Sequence, residues 1–178
     1  MEKKPKTDRK KRSRTNSHKI LILGVGNRLR GDDAIGCLIT DELKSIDGLM
    51  VLDCGSAPEN FIDKVCSSAP DEIIIVDACN FGAEPGKFQL FAERQIEKIS
   101  SQLLSTHTLP LSLTVAMIKK QIPCKIQLLG VQPESIDFGQ GLSAKLAKSK
   151  SQIVKYLKDL VKNKKTNDRV FIKVEKES

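Results

Sequence analysis

Residues 19–36 read KILILGVGNRLRGDDAIG. An apolar run of strand length passes into a loop spaced by Gly24, Gly26 and Gly31, and two aspartates open the helix behind it. A glycine-rich turn leaving the carboxyl end of a parallel strand is where α/β proteins build their sites. Phosphate-binding versions of this turn leave the helix N-terminus free for the anion. Here Asp32 and Asp33 already stand at that positive end, so a polyphosphate meets like charge and a cation fits better. The dinucleotide fingerprint needs glycine at position 29, where this chain has Leu29, and a P-loop needs lysine after Gly31, where it has Asp32. Asp53, ending the second strand, does mimic a ribose-binding acid, which keeps a nucleotide-binding reading open.

Outward from this turn, strand-like and helix-like segments alternate. The pattern predicts an α/β fold with three layers: a doubly wound, mostly parallel five-stranded twisted sheet with helices on both faces. Strands are expected over residues 19–25, 49–53, 72–77, 87–91 and 125–131. Residues 72–77 form an unbroken apolar run ending in an acid, as suits a central strand covered on both sides. The turn at 82–86 feeds the fourth strand as a hairpin or edge return. A first helix over 32–46 puts Ile35, Leu38, Ile39, Leu43 and Ile46 on one stripe. Ser56 and Glu59 have capping-box spacing at the start of a second helix, with Pro58 in its first turn. Further helices are expected over 93–104, 111–120 and 143–162, and a short strand over 170–174.

The 178 residues suffice for one domain with a sizeable core. The net charge of +8 is unevenly spread: residues 1–19 carry nine Lys/Arg against two acids, and residues 145–178 carry eleven against four. The body between them is acidic. The expected organisation is a disordered basic tail over 1–18, a single α/β domain over 19–162, and a Lys-rich C-terminal extension over 163–178. The basic leader lacks the interleaved aromatics and glycines of a nucleic-acid segment, so no nucleic-acid partner is expected. The apolar run at 20–25 is too short for a signal core, and no segment approaches the roughly 20 apolar residues of a membrane span. Cys37, Cys54, Cys66, Cys79 and Cys124 are scattered and odd in number, which predicts free thiols in a reducing cytoplasm.

Four polar features converge at the carboxyl ends of the strands: the loop from Gly26 to Asp33, Asp53, Asp77, and Thr106, His107 and Thr108 before Pro110. His107 is the single histidine outside the tail, and an imidazole before a helix start stays neutral and able to ligate metal. Asp33, Asp77 and His107 make an oxygen/nitrogen set suited to a divalent transition metal, with nickel, zinc and manganese all open. Each piece also has a structural reading. Asp32 reads as the N-cap of the first helix, Asp33 as a complement to its dipole, Asp77 as an acceptor for neighbouring amides, and His107 as a core histidine. No G-x-S-x-G elbow is present, and no cysteine neighbours His107 in the sequence.

GVGNRLRGDDAIG, DCGSAPENF, IIIVDAC, THTLPLS and LLGVQPESIDFGQGLS, in this order, resemble the hydrogenase maturation endopeptidases. The likeness is greatest to the branch serving formate-hydrogenlyase-type and archaeal hydrogenases, and spans about residues 19–160. The resemblance implies a cytoplasmic endopeptidase whose partner is a nickel–iron hydrogenase large-subunit precursor. It would remove the precursor's C-terminal extension in one cut after nickel insertion. The family's three metal-contacting positions fall on Asp33, Asp77 and His107, and the nickel (Ni2+) is expected to be presented by the precursor rather than owned by the enzyme. Gly24, Gly26, Asn27 and Gly31 are the expected substrate loop, letting backbone approach the bound precursor. The competing reading from another class is a non-catalytic nickel-checking chaperone of the same precursor.

Overall fold

The computed structural model describes residues 18–46, 49–100, 109–139 and 141–174. The five expected strands form as β1 (Ile20–Gly24), β2 (Met50–Asp53), β3 (Glu72–Ala78), β4 (Phe88–Ala92) and β5 (Lys125–Val131). They join in one sheet of order β2-β1-β3-β5-β4. All neighbours are parallel except β4, which returns antiparallel along the outer edge of β5. Helices α1 (Ile35–Leu43) and α5 (Ala144–Val174) pack on one face, and α2 (Ile62–Ser68), α3 (Glu93–Ser100) and α4 (Leu111–Gln121) on the other. The apolar run of β3 explains this doubling, because alternate side chains of a strand point to opposite faces. Ile73 and Ile75 enter the core under α2 and α4, while Ile74 and Val76 enter the core under α1 and α5.

Three local expectations are corrected, and a fourth is seen only in part. The first helix does not start at Asp32: a 3-10 turn spans Gly31–Ala34, α1 begins at Ile35, and no side chain caps either start. Ala57 occupies the N-cap position of the next segment in place of a capping box, and a 3-10 turn, Pro58–Phe61, leads into α2. Residues 170–174 are helical, continuing α5, so the short strand expected there does not form. The helix expected over 93–104 is seen to Ser100, and residues 101–108 lie outside the described part, as do residues 1–17 of the basic leader.

The sheet's amino end carries a buried carboxylate. Glu72 opens β3 with its side chain 2 % exposed, and it is ringed by His18 at 3.4 Å, Lys125 at 3.3 Å and Lys164 of α5. Burial alone would raise the Glu72 pKa, but Lys164, Lys125 and His18 together hold it below the ordinary glutamate value. A carboxyl depressed in the folded state stabilises above its unfolded pKa, and that contribution is lost as pH falls through the folded value. Glu72→Gln should therefore cost about 1.5–3 kcal/mol at pH 7 by loss of charge-assisted hydrogen bonds. The gap between wild type and variant should hold down to about pH 4.5 and close below it, which urea titrations across pH 3–7 would read.

Candidate active site

The sheet order puts a topological switch point between β1 and β3, where chain connections leave in opposite directions and a crevice opens at the carboxyl ends. Asp33 and Asp77 flank that point. Gly24 pairs in register with Val76, and the ladder runs one step further, the Val25 amide donating to the Val76 carbonyl at 2.9 Å. Asp77 follows immediately and is fully buried. The 3-10 turn bearing Asp33, itself 3 % exposed, packs against β3. Two buried carboxylates thus stand on the two elements that border the position where this fold class collects ligands.

The loop between β1 and Asp33 is held by hydrogen bonds within itself and to neighbouring segments. The Gly26 amide donates to the Gly55 carbonyl at 2.9 Å and the Asn27 amide to Asp33 Oδ2 at 2.8 Å. The Leu29 amide donates to Asn27 Oδ1 at 2.9 Å, and those of Arg30, Gly31, Asp32 and Asp33 donate to backbone carbonyls. A phosphate nest requires several such amides aimed outward. Here all but that of Arg28 are engaged within the chain, which removes the physical basis for nucleotide binding.

The glycines serve this folding. A Cβ on Gly24 would lie 2.4 Å from the Gly36 carbonyl oxygen, and one on Gly26, whose φ is +140°, would lie 1.8 Å from the Asp33 carbonyl oxygen. A Cβ on Gly31 would stand 3.1 Å from the Ser135 carbonyl oxygen. The room these residues open is filled by the chain itself, so they set the shape of the loop.

Two features of the site were not legible locally. Asp32, 1 % exposed, accepts three amides from distant residues: Glu134 at 2.8 Å and Ser135 at 3.2 Å on Oδ2, and Ser143 at 2.7 Å on Oδ1. It fastens the segment 134–143 to the loop instead of capping a helix. Arg28 bridges Asp41 at 2.8 Å and Asp53 at 2.6 Å, which raises its pKa further above the usual arginine value. Burial works to raise the Asp53 carboxyl, but Arg28, the Gly55 amide and Cys37 hold it below the ordinary aspartate value. Asp53 thus anchors the loop through Arg28, and its candidate role as a ribose acid falls away. The i, i+13 and i, i+25 separations explain why no sequence window displayed the triad.

All five cysteines are free. Burial pushes the Cys37, Cys54 and Cys79 thiols up to about 12, with the Asp53 carboxylate adding to it at Cys37 and Cys54 and that of Asp77 at Cys79. At pH 8 only about one such thiol in ten thousand is ionised, the opposite of an activated nucleophile. A cleft of about 920 Å³ between α3 and α4 opens at the start of β5, at Lys125, Ile126 and Gln127, the other end of that strand from Gly130 beside Asp77. Its Lys119 and Glu93 pair with each other at 3.2 Å.

His107 lies outside the described residues, and among those described no group of three His, Cys, Asp or Glu side chains is arranged to hold a metal. The segment carrying it leads into α4, whose face of the sheet also receives Ile73 and Ile75 of β3. Asp77 shares their parity on that strand.

A family model described as hydrogenase maturation protease (HycI) matches residues 38–160. The chain belongs to the hydrogenase maturation protease family. The matched span includes Asp53, Asp77 and His107 and begins just after the glycine loop. The hydrogenase 3 maturation protease of Escherichia coli is 32% identical over 120 residues, which cover 66% of this chain and 75% of that protein. The crystal structure of the [NiFe] hydrogenase maturation protease HycI from Thermococcus kodakarensis superposes with a TM-score of 0.72 at 32% identity, covering 83% of this chain and 95% of that one. The maturating endopeptidase HybD of E. coli gives 0.71 at 26% identity, covering 82% and 93%. As a hydrogenase maturation protease the chain is a peptidase with the doubly wound α/β fold of these relatives, and no helix among the described residues is long and apolar enough to cross a membrane.

Proposed function

We propose that this protease acts in the cytoplasm on a nickel–iron hydrogenase large-subunit precursor, removing its C-terminal extension in one cut once nickel is in place. The observation that carries the reading is the pair of buried carboxylates, Asp33 and Asp77, on either side of the switch-point crevice. Carboxylates are hard oxygen donors, and His107 would add the imidazole nitrogen that a borderline divalent ion such as nickel accepts. The precursor brings the nickel, and these three side chains grip it. A precursor without nickel then offers the site nothing to hold, so metal loading gates proteolysis. The loop from Gly24 through Gly26 and Asn27 to Gly31 forms the wall against which the precursor chain lies, its shape set by the internal contacts of its glycines.

The test is the intact mass of a large-subunit precursor, nickel-loaded or nickel-free, after incubation with this chain. Loss of a single C-terminal peptide from the loaded form alone is the expected result. Equal cutting of both forms would sink the nickel gate, and a stable complex without cutting would favour the checking-chaperone reading.

A further inference from the structure

The two most exposed large apolar side chains among the described residues are Phe138 at 74 % and Leu29 at 61 %. They come from segments more than a hundred residues apart, yet they stand together. The Gly139 amide donates to the Leu29 carbonyl and the Gly31 amide to the Gly139 carbonyl, each at 3.1 Å, so Arg30 and Gly139 form a short parallel bridge. The Arg30 guanidinium lies over the Phe138 ring, 4.3 Å from its centroid. Asp32, through its three amide hydrogen bonds, locks this pairing from below.

Two features separate this surface from incidental exposure. First, it is built: backbone pairing and the buried Asp32 carboxylate hold the two segments side by side, and the Arg30 cation lies over the Phe138 ring. An ordered apolar projection costs solvation and gains nothing within the monomer. Second, it is continuous with the site, since Leu29 and Arg30 belong to the same short loop as Asn27, whose amide holds Asp33. Its charge is also defined. Arg28 next door is neutralised by Asp41 and Asp53, whereas among the described residues the contacts of Arg30 are the Phe138 ring and, at 3.5 Å, the Ile136 carbonyl, neither of them an anion. The surface therefore offers two apolar side chains and one cation available for an incoming carboxylate.

We infer that Leu29, Arg30 and Phe138 form a docking ridge for the precursor polypeptide, receiving a stretch that pairs apolar side chains with a carboxylate. The inference rests on the proposed function for its occupant. The ridge sets affinity and choice of precursor, and Asp32 is its positioning residue. Contact with the precursor away from the cut bond contributes equally to bound substrate and transition state, so its loss raises KM and leaves kcat alone.

The experiment measures equilibrium binding and steady-state cleavage of a nickel-loaded large-subunit precursor by wild type, Leu29→Ser, Phe138→Ser and Arg30→Gln. Leu113→Ser, exposed on α4, is the control, and a thermal melt of each variant checks folding. The expected result is about tenfold weaker binding and a matching rise in KM for each ridge variant, as for a buried interface anchor. The kcat of each should stay within about twofold of wild type, and the Arg30→Gln effect should shrink as salt rises. If wild type binds and cuts and the ridge variants match it, the ridge is overturned while the proposed function stands. If wild type binds without cutting and the variants lose binding, the ridge stands and the protease reading falls. Absence of wild-type binding overturns both.

Discussion

Asp77→Asn, and separately Asp33→Asn, should lower the rate of nickel-loaded precursor cleavage by at least about 100-fold, the lower end of what a positioned acid–base group contributes. Asparagine keeps the volume and one carbonyl oxygen of each side chain but not its charge. At Asp77, fully buried at the end of β3, the change removes a negative charge from the crevice while keeping the side chain's size. At Asp33 the Oδ2 acceptor for the Asn27 amide can survive in one amide orientation, so the loop should hold its shape. Loss of activity in both would then report charge rather than fold. The second readout is binding. If these carboxylates grip nickel carried by the precursor, either substitution should erase the preference for loaded over nickel-free precursor, an effect of at least 10–100-fold by comparison with disturbed metal sites. A variant that keeps the preference but loses cleavage would move its carboxylate from metal recognition to proton transfer. A variant that keeps both would remove it from the site.

Asp32→Ala should be the most destabilising single substitution in the loop. The carboxylate accepts the amides of Glu134, Ser135 and Ser143, and alanine leaves all three without that acceptor in a partly buried pocket. Hydrogen bonds to a charged group contribute about 1.5–3 kcal/mol each, and relaxation makes three of them less than additive, so a loss of about 3 kcal/mol or more is expected. For a chain of this size that lowers the melting temperature by about 6–12 °C. Asp32→Asn retains one acceptor oxygen and should fall roughly half as far. Amide exchange at Glu134, Ser135 and Ser143 should accelerate in both variants. A melting temperature within about 2 °C of wild type in Asp32→Ala would refute the fastening role.

Asp32 also marks the limit of what the sequence could tell. An aspartate just ahead of an apolar helical stripe has the same local appearance whether it caps that helix or reaches across the molecule. Its partners lie 102, 103 and 111 residues away, so nothing nearby separates the two. The same holds for Arg28, whose partners Asp41 and Asp53 sit on α1 and at the end of β2, and for the start of the second helical segment, where Ala57 takes the N-cap position. Asp33 and Asp77 were legible because their signal is local. Asp77 is the next-to-last residue of β3 and Asp33 follows β1 by a short glycine loop, and strand ends are where this topology gathers polar groups.

What the sequence by itself determined is the set of elements and the ends at which chemistry collects. Residues 125–131 were expected as a strand and form one without a shift, a short segment rich in aliphatic side chains (Ile126, Leu128, Leu129 and Val131) closed off by Pro123 and Pro133. Gly24, Gly26 and Gly31 were expected to let backbone approach a bound precursor, whereas in the structure the close approaches that only a missing Cβ allows are made by the chain's own backbone. What only the tertiary structure decided is which distant groups satisfy the loop and the chain ends. The last helix was expected to end at 162, yet α5 continues to Val174, and Lys164 reaches Glu72 across 92 residues. The physical reason is range. Hydrophobic periodicity acts through neighbours three or four positions apart, whereas a buried carboxylate draws whatever donors the fold brings to it, wherever they stand in the chain.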